Sequence, residues 1–356
     1  MRIVFVMRPD YLSNMGGDTV QMLKTKEYLE KYEDVQVDII SKPEELDSQY
    51  DILHIFNLQN SGFAHSMLNT AKQLGIKVVL SPIIWRFGDS GYVNKLMRLT
   101  HSMNFVRKFQ PTSKIFEFIS IKKNRNIKEY ILKNCDIVLP NSDEEGNILR
   151  DQYGIDFNEM VVPNCIDINL AEENLDISIP MNFVLQVGRV EPTKNQLSLL
   201  QAMMKHKDIP LFFIGKQNKR KKFYINQLKE LAAIRGNTFF IEELPQSQLA
   251  QYYKAAKVHV LPSFRESPGL VTLEALFYGC NIVVSDDRFC PIKYYRFDRL
   301  GYICNPYSVE SIEKAVVKAY RDKTVNVDND YFDFFSYYNA AKITRQAYLR
   351  ILGNAQ

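Results

Sequence analysis

Four charged residues set the chemistry this chain could do. Arg189 and Lys194 stand five apart, directly after the apolar run Phe183–Val187 and its terminal Gly188. A strand that ends in Gly-Arg and runs into a helix at Leu197, Leu199, Leu200 and Met203 places both cations at the helix amino end. An arginine forks two oxygens and a lysine adds a point charge, so the pair suits a diphosphate. Glu266 and Glu274 have seven residues between them, in S-F-R-E-S-P-G-L-V-T-L-E-A-L-F-Y-G. Either Glu alone reads as an ordinary loop or helix acid. Together, across a loop and the helix that follows, they could both reach a ligand at the helix start.

The elements that must position these residues follow from pattern. Val258–Leu261 is β-branched and predicts a buried strand, broken by Pro262 and Ser263. Leu270, Leu273, Leu276 and Phe277 share a helix face over Leu270–Tyr278, and Gly279 ends that helix. Ile282–Val284 is a second buried strand. The loop with Arg265, Glu266, Pro268 and Gly269 therefore lies at a strand carboxyl end and a helix amino end. Open α/β sheets bind ligands there, and backbone N–H groups attract phosphate.

The motif around Glu266 resembles the signature of the retaining glycosyltransferases of the two-domain GT-B type, family 4 (glycosyl transferases group 1). The matching residues are Glu266, Pro268, Gly269, Leu270, Glu274, Ala275 and Gly279. Q-V-G-R-V-E-P-T-K-N-Q at 186–196 and V-V-P-N-C-I-D at 161–167 also match, with Cys165 where the family has Gly. The resemblance covers nearly the whole chain and is strongest from Pro163 to Asp286. It implies that Glu266 contacts the donor sugar and Glu274 the ribose hydroxyls, while the amides at Gly269 and Leu270 hold the diphosphate. It implies that Arg189 and Lys194, with Gly188, stabilise the leaving diphosphate in place of a metal. It puts Gly215 beside the nucleotide and Leu244 in the loop that meets the base. Gly16 and Gly17 would line the cleft between domains. By their spacing these two glycines do not form G-x-G-x-x-G, so no dinucleotide cofactor is indicated. No cofactor is expected beyond the nucleotide-sugar co-substrate, and no D-x-D-type acidic pair for a metal is present.

The fold expected is α/β: two doubly wound Rossmann-like domains with an interdomain cleft. Short buried strands alternate with helices throughout, which means parallel sheets. In the first half the strands are Ile3–Met7, Val35–Ile40, Asp51–Phe56, Lys77–Leu80 and Cys135–Pro140, with a turn region over Arg8–Asp18. Ser142 and Glu145 make a capping box for a helix over 143–153. The polar stretch Asn169–Pro180 has the composition of a linker. Residues 1–165 are assigned to an acceptor domain and 166–334 to a nucleotide-sugar domain. A helix over 335–356 is expected to cross back to the first. His54, inside a strand, reads as a satisfied core histidine. Two further histidines of the family pattern are replaced by Phe56 and by the Ser81–Trp85 stretch.

At 356 residues the chain suits two domains, and 46% hydrophobic with 24% charged residues argues against disorder. A net charge of +4 is too small to suggest nucleic-acid binding by itself. The five cysteines (Cys135, Cys165, Cys280, Cys290, Cys304) lack C-x-x-C spacing and read as free thiols of a reducing cytoplasm. Met1–Val6 does not resemble a signal peptide, and no apolar stretch approaches membrane-spanning length. From 91 to 130, Lys95, Arg98, Arg107, Lys108, Lys114, Lys122, Lys123, Arg125 and Lys128 oppose only Glu117 and Glu129. Apolar residues interleave them. Such a segment fits an anionic membrane surface, or equally a solvated helix on its own domain. The expected function is transfer of a hexose, with retained configuration and without a metal, from a nucleotide sugar to a glycan or lipid-linked acceptor in cell-surface polysaccharide synthesis. The enzyme would work in the cytoplasm or on the inner face of the cell membrane. The alternatives are a non-catalytic GT-B partner subunit and a related GT-B phosphorylase or epimerase. A nucleic-acid module fits least.

Overall fold

Short runs of β-branched residues, buried on both faces, build a parallel sheet in each half of the chain, as a sheet covered by helices requires. The computed structural model describes residues 1–8, 11, 16–110, 113–167 and 179–353. Most of the turn expected over Arg8–Asp18 and of the linker expected over Asn169–Pro180 lies outside them. The chain divides into two units. One comprises Met1–Trp85, Ile121–Asp167 and Asn329–Gln356, the other Arg86–Ser120 and Ile168–Asp328.

The first unit carries strands β1 (Arg2–Val6), β2 (Gln36–Ile40), β3 (Ile52–Phe56), β4 (Lys77–Ser81) and β5 (Ile137–Val138), in the order β2-β1-β3-β4-β5, all parallel. The helix Tyr337–Ile351 packs against the helix Gly17–Tyr32 in this unit's core, where Ala340, Ala341 and Ala347 keep its buried face small. The Ser336 hydroxyl caps it, and its Tyr348 hydroxyl meets His54 Nδ1 at 2.7 Å. His54 Nε2 meets Ser81 Oγ at 2.9 Å, so this histidine is a satisfied core residue. At the helix Asp143–Tyr153, Ser142 Oγ accepts the Glu145 N–H as a cap should. The Glu145 carboxylate does not close the box on Ser142. It takes the amides of Asn141 and of Ile84, tying the loop after β4 to the loop after β5.

The second unit carries β6 (Phe183–Val187), β7 (Leu211–Ile214), β8 (Thr238–Ile241), β9 (Ala256–Leu261), β10 (Asn281–Ser285) and β11 (Tyr302–Cys304). The order is β11-β10-β9-β6-β7-β8, again all parallel. Chain order reverses between β6 and β9, so the ligand-binding crevice of an open α/β sheet falls at their carboxyl ends.

The division differs from domains at 1–165 and 166–334 in three respects: 166–167 and 329–334 fall in the first unit, and residues 86–120 group with the second. The helices Gly88–Thr100 and Met103–Lys108 bury Tyr92, Val93, Met97, Met103 and Val106 in one core with Leu199, Leu200, Met203 and Tyr307. Gly88 lets the helix Ser113–Lys122 come close, since a Cβ there would lie 3.0 Å from the Glu117 Cα. Asp89 accepts from Arg288 Nε at 3.0 Å and from the Tyr307 hydroxyl at 2.7 Å. Arg107 donates to Ser198 Oγ at 2.8 Å and Gln201 Oε1 at 2.5 Å. All five cysteines are free thiols, and four of them are buried.

Candidate functional site

The site grows from two loops at the carboxyl ends of β6 and β9. After β6, Gly188 adopts φ +144° and Gly215, after β7, adopts φ +145°. The two glycines pack backbone to backbone: a Cβ on Gly215 would lie 2.7 Å from the Gly188 carbonyl carbon. Only glycine serves at such a contact. The chain then passes Arg189 and a short turn, Pro192–Lys194, and enters the helix Gln196–Ala202. Gln196 Nε2 holds the Arg189 carbonyl at 3.0 Å, and Gln186 Nε2 holds the Lys194 carbonyl at 2.6 Å. Asn195, left-handed at φ 61° and buried, donates to the carbonyls of Pro262 at 3.0 Å and Pro306 at 2.8 Å.

The second loop is fastened to the first. Phe264 N–H donates to the Thr193 carbonyl at 2.9 Å, and Glu266 N–H to the Phe289 carbonyl at 2.8 Å. These bonds bring Lys194 Nζ to 2.6 Å from Glu266 Oε1, an ion pair whose side chains are 20% and 9% exposed. Arg189 is half exposed and lies 3.9 Å from Glu191. Pro268 precedes Gly269, which has φ +90° and starts the helix Leu270–Phe277. A Cβ on Gly269 would meet the Leu261 side chain at 2.8 Å and Glu266 Oε2 at 3.3 Å. The Gly269 and Leu270 amides are thus at a helix amino end beside the Lys194–Glu266 pair.

Glu274, inside that helix, accepts from Gln246 Nε2 at 2.7 Å and from the Tyr253 hydroxyl at 2.9 Å. Burial raises its pKa, and these two hydrogen bonds pull the other way. A carboxylate accepts at about four positions, so two remain for a ligand. Leu244 is half buried in the loop just before the helix Gln246–Ala255. The second unit therefore assembles Gly188, Arg189, Lys194, Gly215, Glu266, Pro268, Gly269 and Leu270 around one crevice. Glu274 and Leu244 follow on along the helix and its neighbour. Gly16 and Gly17 belong to the first unit, where Gly16 precedes the helix Gly17–Tyr32 and Asp18 is held by Arg8 at 3.1 Å and Asn57 at 2.9 Å.

The positioning residues Gln186, Asn195, Gln246 and Tyr253 were not singled out by the sequence reading. Asn195 had a signal, since it follows Lys194 inside the K-N-Q match. Gln246 and Tyr253 are seven apart on one helix face, but nothing local ties that face to Glu274.

Two parallel α/β sheets give the chain the fold class of GT-B proteins. Residues 171–331 match the family model of glycosyl transferases group 1, a stretch that contains Gly188, Arg189, Lys194, Gly215, Leu244, Glu266, Pro268, Gly269, Leu270 and Glu274. Solved structures agree on the fold. Sucrose-phosphate synthase from Thermosynechococcus elongatus superposes with TM-score 0.72 over 99% of both chains at 16% identity. Anabaena HepE in complex with UDP and glucose superposes with TM-score 0.69 over 98% of this chain and 99% of that one, at 13% identity. Among sequence relatives, the D-inositol 3-phosphate glycosyltransferase of Geodermatophilus obscurus is 29% identical over 178 residues, covering 44% of this chain and 40% of that protein. The enzyme of that name from Kribbella flavida is 25% identical over 63% of this chain and 59% of its own length. O-antigen chain mannosyltransferase B of Escherichia coli is 29% identical over 39% of this chain and 37% of its own. The chain thus spans about half the length of the curated relatives it matches.

Proposed function

We propose that this chain is a retaining, metal-independent glycosyltransferase that moves a hexose from a nucleotide sugar to a glycan or lipid-linked acceptor. The second unit would hold the donor and the first the acceptor, with Gly16 and Gly17 serving the donor phosphates. One observation carries the reading: the Lys194–Glu266 pair stands beside a helix amino end at the switch point of the second sheet. The bond from the sugar's anomeric carbon to the diphosphate breaks, and its electrons go to the leaving phosphate. Charge that builds there meets Arg189, Lys194 and the Gly269 and Leu270 amides, already in place and partly shielded from water. The acceptor oxygen takes the anomeric carbon on the same face, and its proton goes to the departing phosphate oxygen. No protein base is required, which agrees with Phe56 and the Ser81–Trp85 stretch standing where the family pattern has histidines. Glu266 fixes both the Lys194 ammonium and the sugar, and Glu274 holds the ribose hydroxyls.

The relatives that act on O-antigen and inositol phosphate support an acceptor of glycan or phosphorylated-alcohol type, in surface polysaccharide synthesis. Work on the inner face of the cell membrane is the location proposed. Thermal-shift screening against UDP-, GDP-, ADP- and dTDP-sugars tests the donor site, because a ligand that binds only the folded state raises its midpoint by mass action. A shift with one nucleotide is expected. A flat response to all four would favour the non-catalytic partner.

A further inference from the structure

Arg265 precedes Glu266 in the loop after β9. Its backbone is fixed on both sides by the Phe264 and Glu266 amide bonds. Its guanidinium lies over the Phe87 ring, 4.1 Å from the centroid. Phe87 stands at the start of the helical segment 86–120 that packs within this unit. The side chain is half buried, and desolvation lowers its pKa, with the Glu266 and Glu191 carboxylates opposing and Arg189 adding to the shift. Yet Arg265 makes no hydrogen bond and no ion pair among the described residues.

A guanidinium carries five N–H groups in a rigid fork, and none of those of Arg265 is shut away from solvent, so a ligand can reach them. The unit's other part-buried arginines use most of theirs, although Arg107 Nε has no partner among the described residues. Arg235 donates to the carbonyls of Met203, His206, Ile209, Gly236 and Asn237. Arg107 and Arg288 each bind side chains of their own unit. The carboxylates nearest Arg265 already have partners: Glu266 has Lys194, and Glu191 has Thr193 Oγ1 at 3.0 Å and, more loosely, Arg189. The crevice therefore holds three cations, Arg189, Lys194 and Arg265, against two carboxylates.

Building on the donor site proposed above, we propose that Arg265 is a third anion-binding side chain of that site. It takes an oxyanion of the donor, either on the diphosphate or as a carboxylate on the sugar. Phe87 holds the guanidinium plane by stacking and leaves its N–H edge for the ligand.

Calorimetric titration of the wild type, R265K and R265M with UDP, GDP, ADP, dTDP and their monophosphates tests this. Methionine keeps the packing on Phe87 without the charge. If the oxyanion is on the diphosphate, R265M weakens the bound diphosphate about tenfold or more, the loss of one charge-assisted hydrogen bond. Monophosphate affinity then holds, and R265K recovers part of the loss. If the oxyanion is on the sugar, diphosphate affinity holds. In that case R265M lowers affinity for the uronate donor of the same nucleotide (UDP-glucuronate, or GDP-mannuronate) relative to its neutral counterpart. The proposal is overturned if R265M changes neither. It is also overturned if R265M and R265K weaken mono- and diphosphate alike while lowering the ligand-free melting temperature, which marks a packing role. A wild type that binds no nucleotide removes the donor reading itself; a wild type that binds while R265M is unaltered removes only the assignment of Arg265.

Discussion

Lys194 and Glu266 lie 72 positions apart and meet at 2.6 Å, so neither has a role separable from the other. In the proposed mechanism the carboxylate would keep the ammonium in the crevice before charge develops on a leaving group, and preplaced charge is what lowers a barrier. Replacing Lys194 with Ala should cut turnover about a hundredfold or more, the scale found on removing one stabilising donor. Stability should fall by only about 1–2 kcal/mol, because the pair keeps contact with water. E266Q should be strongly non-additive with K194A in turnover, as expected for two members of one pair. Unchanged turnover in K194A would remove this mechanism. These residues were legible in the sequence because their chemistry is written in local spacing: Arg and Lys after a strand end, two Glu across a loop and helix. Gln246 and Tyr253, which hold Glu274, were not, because a contact across 28 or 21 positions leaves no periodic trace.

At the scale of elements, strands and helices were read well where a run is apolar and punctuated. The strand Phe183–Val187 and the helices Asp143–Tyr153 and Leu270–Phe277 stand where pattern places them, to within a residue. The basic amphipathic segment 91–130 is expected within 1–165, and the structure divides it, grouping residues up to 120 with the second unit and 121–130 with the first. Amphipathy says that a face will be buried, not against what. The deciding contacts, such as Asp89 with Arg288 and Tyr307, are made across about 200 positions. Glycines bear on elements as well. Gly215 and Gly188 close the turn after β7 onto the turn after β6, so G215A meets both a forbidden φ and a backbone clash. We expect a loss of about 3 kcal/mol or more. Gly154 ends the helix Asp143–Tyr153 at φ +65° with nothing within 4 Å of an added Cβ. G154A should cost only the strain, about 1 kcal/mol. Chemical denaturation of the two variants separates these cases; equal losses would mean that the Gly188–Gly215 contact matters no more than any left-handed turn.

At the scale of the whole molecule, buried ionisable groups and the exposed surface set how the protein answers its surroundings. Each unit buries one histidine, His54 and His259, and burial pulls both down to about 3. Their unfolded value is near 6.5, so the unfolded chain binds more protons between the two values. Stability from this source is full above pH 6.5 and is lost as pH falls toward 3, at about 1.4 kcal/mol per unit for each histidine. Glu145 acts in the opposite sense: burial raises it to about 8 against its two amide donors, and stability is lost as pH rises from about 4.5 to 8. Neither ring nitrogen of His259 has a hydrogen-bond partner among the described residues, so H259L should remove one acid-side slope. Its deficit relative to the wild type should shrink by about 2 kcal/mol between pH 6.5 and 5; a constant deficit would show that His259 does not titrate on unfolding. The surface of 86–120 makes the remaining prediction. The helix Ser113–Lys122 turns Phe116 into the core, where it meets Tyr92 edge-on at 5.6 Å. Its other face presents Ile115, Phe118 and Ile119 at 58–59% exposure, three residues that fall together at i, i+3 and i+4. Lys114, Lys122 and Lys123 flank them, and Leu99 and Phe105 on the two preceding helices, with Phe109 just past the second, are exposed as well. Among the described residues no helix is long and apolar enough to cross a membrane. A shallow apolar face with basic residues beside it fits the headgroup boundary of an anionic bilayer, where each basic residue adds about 1 kcal/mol at low salt. The protein should float with vesicles containing phosphatidylglycerol at low ionic strength and sink from purely phosphatidylcholine vesicles. The triple variant I115S/F118S/I119S should not float, and its nucleotide-induced thermal shift should be unaltered. A wild type that stays unbound at low salt would make this segment a solvated cap on the donor unit. Binding that survives the triple substitution would assign the attachment to charge alone.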